Sequence, residues 1–286
     1  MKRRLLPVFL FLTALSNAQN PLAIPDTLTG TAINLSITDS MRTWYAGFPT
    51  NTIGINAAYL GPTLILNKWD SVQFSVQNNL LDTTTVHWHG LHIAPEKDGG
   101  PHTTILPLSG WNPSFTIRDA AGTYWYHPHL HMKTAEQVTK GAAGFIIIRD
   151  SLEAQLNLPR RYNVDDFPMV IQTRAFDANK QFIVESASDS VVLVNGTLNP
   201  FLQVPAQVVR LRLLNGSTER VYNLGLDNNQ TFYQVGSDGG LLAQPVALNR
   251  LRLAPGERAE ILVNLSGMQG QQANLVSYAS EFPNGI

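Results

Sequence analysis

The sequence predicts an all-β protein built from two tandem β-sandwich domains. Three observations carry that prediction: apolar and polar residues alternate in many short runs, turn-forming pairs separate the runs, and helical periodicity is scarce. The length of 286 residues corresponds to about two domains. A chain of this size can bury a large core without disulfide staples.

Residues 1–18 (MKRRLLPVFLFLTALSNA) read as a cleaved signal peptide. Lys2, Arg3 and Arg4 form the positive region, an apolar stretch runs from Leu5 to Leu15, and Ser16 and Ala18 are the small residues before the cut. The apolar run is shorter than the roughly 20 residues a membrane span needs. Cleavage after Ala18 leaves 17 basic against 21 acidic residues, a net charge of −4. The expected product is a soluble exported protein, periplasmic or secreted, with no membrane span.

The first sandwich is expected over 21–150. Its strands are read from Thr31–Thr38, Ser71–Gln77, Ser114–Arg118 and Gly144–Arg149. The segment 151–164, with its polar PRRYN stretch, reads as a linker. The second sandwich is expected over 165–286, with strands at Val208–Leu214 and Ala259–Leu265. Turns fall at Gly61-Pro62, Asn78-Asn79, Gly99-Gly100, Asn195-Gly196, Asn215-Gly216, Gly239-Gly240 and Pro255-Gly256. Only two short helices are expected. Thr134 with Gln137, and Asp150 with Glu153, fit capping boxes.

Composition excludes several functions. With 44% hydrophobic and 14% charged residues the chain is neither disordered nor supercharged. A formal net charge of −1 lacks the basic excess of a nucleic-acid binder. The absence of cysteine removes disulfides, thiolate nucleophiles, zinc ribbons, iron–sulfur clusters and thiolate copper sites.

The chemistry is concentrated in one window. All seven histidines lie at 87, 89, 92, 102, 127, 129 and 131. In a strand, residues i and i+2 share a face, so His87 and His89 aim together and Trp88 points away. His127 and His129 can do the same around Pro128, whose missing N–H suits a strand end. If the two strands lie side by side, four imidazoles converge on a site suited to copper, zinc, iron or nickel. A single His-x-His is more often a wet strand face or a satisfied core pair; two pairs in one window favour metal. His131 continues the series and suits a supporting role. His92 falls off the period and suits a surface or core role.

HWHGLHIAPEKDGGP (87–101) and TYWYHPHLHMKTAEQVTKGAAGFIII (123–148) resemble the two N-terminal copper signatures of multicopper oxidases, the family of laccases and bacterial copper-efflux oxidases. GPTLILNKWDSVQFSVQNNL (61–80) resembles the lead-in to the first signature. FPMVIQ (167–172), LVNG (193–196), VRLRLLNGS (209–217), GSDGGLL (236–242) and APGERAEILV (254–263) resemble the family's middle domain. The resemblance implies cupredoxin-like Greek-key sandwiches and a reaction that couples one-electron oxidations of phenols or metal ions to four-electron reduction of O2 to water. By that resemblance His87 is a type 2 copper ligand, and His89, His127 and His129 are type 3 ligands of a trinuclear cluster. Asp98, in the EKDGG turn, matches the family's acidic residue beside the cluster and takes its catalytic, proton-delivering part. A plain turn former is the alternative for Asp98.

The family's last domain supplies the remaining cluster histidines and the cysteine of type 1 copper. This chain has no cysteine and no histidine after 131, so it carries half a site and no type 1 site. Three explanations stay open: a missing C-terminal cupredoxin domain in cis, the same domain supplied in trans, or a protein that binds copper without turnover. The functions that follow are an oxidase using O2 and a reducing substrate in the first two cases and an exported copper-binding or sequestering protein in the third. A further alternative is an interaction protein of the same fold, like the family's copper-free cell-division relatives.

Overall fold

Strict alternation in Ser71–Asn78 turns Val72, Phe74 and Val76 inward and leaves Ser71, Gln73, Ser75 and Gln77 exposed. In the computed structural model, which describes residues 19–184, 186 and 188–283, that strand sits in the first of two sandwiches. The signal segment 1–18 lies outside the described residues. One sheet runs Phe48–Ile55, Ala32–Tyr45, Ser71–Asn78 and Gly110–Trp111, with Ser114–Thr116 also pairing Ser71–Asn78. The facing sheet runs Thr27–Thr29, Thr63–Asn67, Gly144–Arg149, Gly122–His127 and His87–His89. Apart from the hairpin of Ala32–Tyr45 with Phe48–Ile55, several sheet neighbours are distant in sequence, and three pairings are parallel, so connections cross over between the sheets as in a Greek key. Between the sheets lies a continuous core that includes Ile37, Ile55, Phe74, Trp88, Tyr126 and Ile146.

Gly122–His127 is buried along its whole length and Gly144–Arg149 nearly so, without alternation. Such strands are covered on both faces. One face meets the first core. The other meets the second sandwich through a cluster that includes Tyr59, Trp125, Phe145, Val170 and Leu214.

In the second sandwich, Asp166–Phe176 pairs parallel with Val208–Asn215, which pairs antiparallel with Arg258–Asn264. A small sheet of Leu251–Leu253, Tyr222–Leu226 and Leu275–Ser277 faces them over a core containing Phe167, Leu213, Phe232 and Ile261. The N-terminal strand Asn20–Pro21 pairs with Pro200–Phe201 and so ties the chain's start to the second half.

Both expected helices form, with different caps. Thr134–Thr139 has Lys133 at its N-cap without a side-chain hydrogen bond, so the Thr134/Gln137 box is absent. Gln137 instead accepts from Thr84 Oγ1 at 2.8 Å and donates to the Thr83 carbonyl at 2.9 Å, bracing the approach to His87. Asp150 does cap Ser151–Ala154, accepting from the Glu153 N–H at 2.7 Å. The Glu153 carboxylate does not complete the box because buried arginines take it. It meets Arg149 at 2.9 Å and Arg210 at 2.9 Å. The 151–164 segment is therefore packed at Glu153, not a free tether.

Candidate metal centre

The register of two strands builds the site. His87–His89 pairs antiparallel with Gly122–His127, placing His127 opposite His87 and Trp125 opposite His89. Period two then puts His87, His89, Trp125 and His127 on one face, and Trp88 and Tyr126 on the other, in the first core. Ligand atoms of His87, His89 and His127 all lie within 4.8 Å of one another. The His89 Nδ1 and His127 Nε2 atoms are 3.1 Å apart.

His129 stands beyond the strand end and is exposed. Its ring centroid is 5.4 Å from that of His87, as close as those of His89 and His127, and 6.0 Å from that of His127. The fourth imidazole therefore flanks the site on the His87 side, outside the trio of mutually close ligand atoms. The strand stops at His127, immediately before Pro128. His131 and His102 are exposed. His92 is exposed too, with Nδ1 2.6 Å from the buried Asp119 carboxylate.

Asp98 reaches His87 twice. Its carbonyl oxygen is 3.0 Å and its carboxylate 3.2 Å from His87 Nδ1. Gly99 makes this possible: its φ is +73°, and a Cβ there would collide with the Val86 carbonyl. His127 Nδ1 lies 2.8 Å from the Pro128 carbonyl. Donation from each Nδ1–H leaves Nε2 unprotonated and free to bind a metal, the usual way a metal-binding histidine is oriented.

Burial keeps His89 and His127 neutral. Burial pushes His89 down to about 4, helped by the Arg258 charge and by His87 and His129. Burial also holds His127 well below the usual histidine range, against the opposing Pro128 hydrogen bond. Neutral imidazole is the metal-binding form. Preformed geometry, fixed tautomers and neutral nitrogen donors fit a copper-type ion.

The second sandwich completes the surroundings. Trp125 stacks on His127 with centroids 3.9 Å apart, and its indole N–H is buried without a partner among the described residues. A Cβ on Gly256 would lie 3.5 Å from His89 Cε1 and 3.6 Å from Trp125 Cζ2. Arg258 Nε donates to the Thr123 carbonyl at 3.2 Å, and Thr123 Oγ1 donates to Glu260 at 2.6 Å. Thr123 and His127 share a strand face, so these bonds hold the ligand strand from the opposite domain.

Sequence reasoning did not place Trp125, Arg258 or Gly256 at the site, reading Gly256 only as a turn residue. Trp125 sits inside the YWYH run, where its i−2 spacing from His127 places it on the ligand face. The other two are brought in only by domain packing.

Residues 37–153 match the family described as multicopper oxidase. A multicopper oxidase of Staphylococcus haemolyticus is 42% identical over 232 residues, covering 79% of this chain and 52% of the relative. The cell division protein FtsP of Photorhabdus laumondii is 37% identical over 265 residues, covering 90% of this chain and 56% of the relative. A laccase structure from Pediococcus acidilactici superposes with a TM-score of 0.87 at 37% identity, covering 92% of this chain and 60% of that one. The chain spans about half the length of the curated relatives it matches.

Proposed function

The chain belongs to the multicopper oxidase family and folds as two cupredoxin-like sandwiches, and from that premise we propose that it forms the N-terminal part of an exported copper-dependent oxidase. The reaction takes four single electrons from a reducing substrate, a phenol or a metal ion, and passes them with four protons to O2, giving two waters. Copper supplies the electron storage and oxygen binding when present.

This chain's own residues hold and orient the ions. In our reading His87 serves type 2 copper and His89, His127 and His129 serve type 3 coppers. Asp98 and the Pro128 carbonyl fix the tautomers of His87 and His127. Asp98 is 31% exposed at its side chain, so it can exchange protons between solvent and the His87 environment. A cysteine-bearing domain, in cis or in trans, supplies the rest of the cluster and the type 1 copper. The proposed layout is a signal over 1–18, copper-binding sandwich over 21–150, connector over 151–164 and second sandwich over 165–286.

The observation that supports this most is the trio of His87, His89 and His127 with mutually reachable nitrogens. The test is a copper titration of the purified metal-free protein, followed by calorimetry and electron paramagnetic resonance. Copper is expected to bind to the protein without an intense blue thiolate band, and His87→Ala with His127→Ala is expected to abolish tight binding. Oxygen consumption is expected only when the cysteine-bearing domain is supplied. Unchanged copper binding in the double variant would overturn the assignment.

The FtsP match, covering 90% of this chain, supports a second reading as a cell-division interaction protein. In that case the same double variant would retain cellular function. The retained histidine trio favours the first reading.

A further inference from the structure

Away from the metal centre, a cavity of about 300 Å3 opens between the two sandwiches and the N-terminal segment. Pro25, Leu28, Leu60 and Pro62 give it an apolar wall, and Tyr59 and Arg42 line it as well. Arg42 projects from Ala32–Tyr45, opposite Thr50. Its guanidinium carbon lies 5.4 Å from the Trp44 ring centroid and 5.9 Å from that of Tyr59.

The aromatic neighbours are themselves fixed. Trp44 Nε1 donates to the Gly196 carbonyl at 2.8 Å, and the Tyr59 hydroxyl donates to Gln172 at 3.0 Å. Arg42 is therefore held between rings that the second sandwich anchors. Yet among the described residues its guanidinium has neither an acidic partner nor a hydrogen-bond acceptor. Every other half-buried or buried arginine near the domain boundary, Arg149, Arg174, Arg210, Arg212 and Arg258, is engaged by carboxylates or carbonyls. Burial also lowers the pKa of Arg42, which marks a charge removed from solvent without full compensation. Asp26 is at the rim, exposed, and makes no ion pair with it.

We propose that this inter-domain cleft binds a small organic carboxylate, whose anionic group pairs with the Arg42 guanidinium and whose apolar body lies against Tyr59, Pro25 and Pro62. A planar guanidinium offers paired N–H donors that match a carboxylate in two-point geometry. The apolar wall selects against inorganic anions, which bring nothing to bury there. The site shares no residue with the histidine cluster, so the inference stands apart from the oxidase reading.

Benzoate is the probe, and benzamide its neutral counterpart of the same shape. Binding to the purified protein is measured by calorimetry and by the shift in melting midpoint, with tryptophan fluorescence reporting on Trp44. Benzoate is expected to bind about tenfold or more tightly than benzamide, the margin of a charge-assisted hydrogen-bonded pair. Arg42→Met is expected to erase that preference, and Arg42→Lys to restore it in part. Retained circular dichroism in both variants separates a lost site from a lost fold, and Arg42→Gln replaces Arg42→Met if the latter does not fold. Equal affinity for the two probes, no binding of either, or an undiminished benzoate preference in Arg42→Met would overturn the proposal.

Discussion

One face of the Gly122–His127 strand holds two polar clusters of opposite character. Near its C-terminal end, His127 joins His87 and His89 in a group whose ring nitrogens face one another, the only polar contact within it being His89 Nδ1 to His127 Nε2. Near its start, Thr123 joins a buried array of Arg149, Arg210, Arg212, Glu153, Asp166 and Glu260. There Arg212 bonds Asp166 at 2.7 Å, Glu260 at 2.8 Å and Thr123 at 2.9 Å, and Arg210 bonds Glu260 at 3.0 Å. Arg149 reaches Asp166 at 2.9 Å. Three buried or nearly buried arginines face three carboxylates, and the partly exposed Arg160 adds a fourth at Glu153, 2.8 Å away, so the array is closely charge-matched and nearly saturated. The lesson is one of open against closed capacity: a set of buried groups that satisfies itself locks two domains, whereas one that leaves nitrogens free is prepared for something external.

Breaking the closed cluster should have the largest effect on folding. Glu260 is fully buried and is shared by Arg210, Arg212 and Thr123. Removing one partner of a buried charge array strands the others and costs about 3–5 kcal/mol. Glu260→Gln should lower the urea unfolding free energy by about that amount. Because Thr123 sits on the ligand strand, copper affinity should fall with it. A loss below about 1 kcal/mol would place the array among weak surface-like pairs and dissolve the contrast.

The two clusters also differ in how legible they were. The metal trio rests on i, i+2 spacing in HWH and on pairing of that strand with the one ending at His127, so strand periodicity aligned His87 with His89 and side-by-side strands brought His127 to them. The fold was legible for the same reason: Gly144–Arg149 was predicted with the bounds the structure has, and Ser71–Gln77 to within one residue. The ionic array was not legible. In VRLRLL and GERAEILV, Arg210, Arg212 and Glu260 sit where alternation predicts a polar, wetted face. The second domain's neighbour covers that face, and pairing across it spans separations no local pattern encodes. His129 lies past the strand end at Pro128 and is exposed, yet its ring is as close to that of His87 as the rings of His89 and His127 are.

A smaller effect should follow from Asp98→Asn at the open cluster. Asp98 touches His87 through both its carbonyl and its carboxylate. The substitution keeps the carbonyl contact and the Gly99 turn, and removes only the negative charge. Loss of such a supporting group typically lowers metal affinity by about 10–100-fold. The effect here should be at the lower end of that range, with little change in unfolding free energy because the side chain is partly exposed. A chelator-competition titration measures it. An affinity equal to wild type would leave Asp98 as a turn former only.

The smallest expected effect distinguishes the clusters by pH. His89 is held at about 4 and His127 well below the usual histidine range, both mainly by burial, while an unfolded histidine titrates near 6.5. Below that value the unfolded chain binds protons that the folded chain refuses. The stability of the metal-free protein is therefore fully present above about pH 6.5 and is lost progressively as pH falls toward 4. The closed cluster responds at lower pH. Its arginine neighbours hold the Glu153, Asp166 and Glu260 carboxyls below the usual carboxylate range despite burial, so they stay ionised through this window. Urea midpoints of the metal-free protein at pH 7.5, 6 and 5 should decline in that order, and His89→Gln should flatten the decline. A flat profile in the wild-type protein would mean that the folded imidazoles protonate freely, and the site would then lack the dry, neutral character that distinguishes it from a wet strand face.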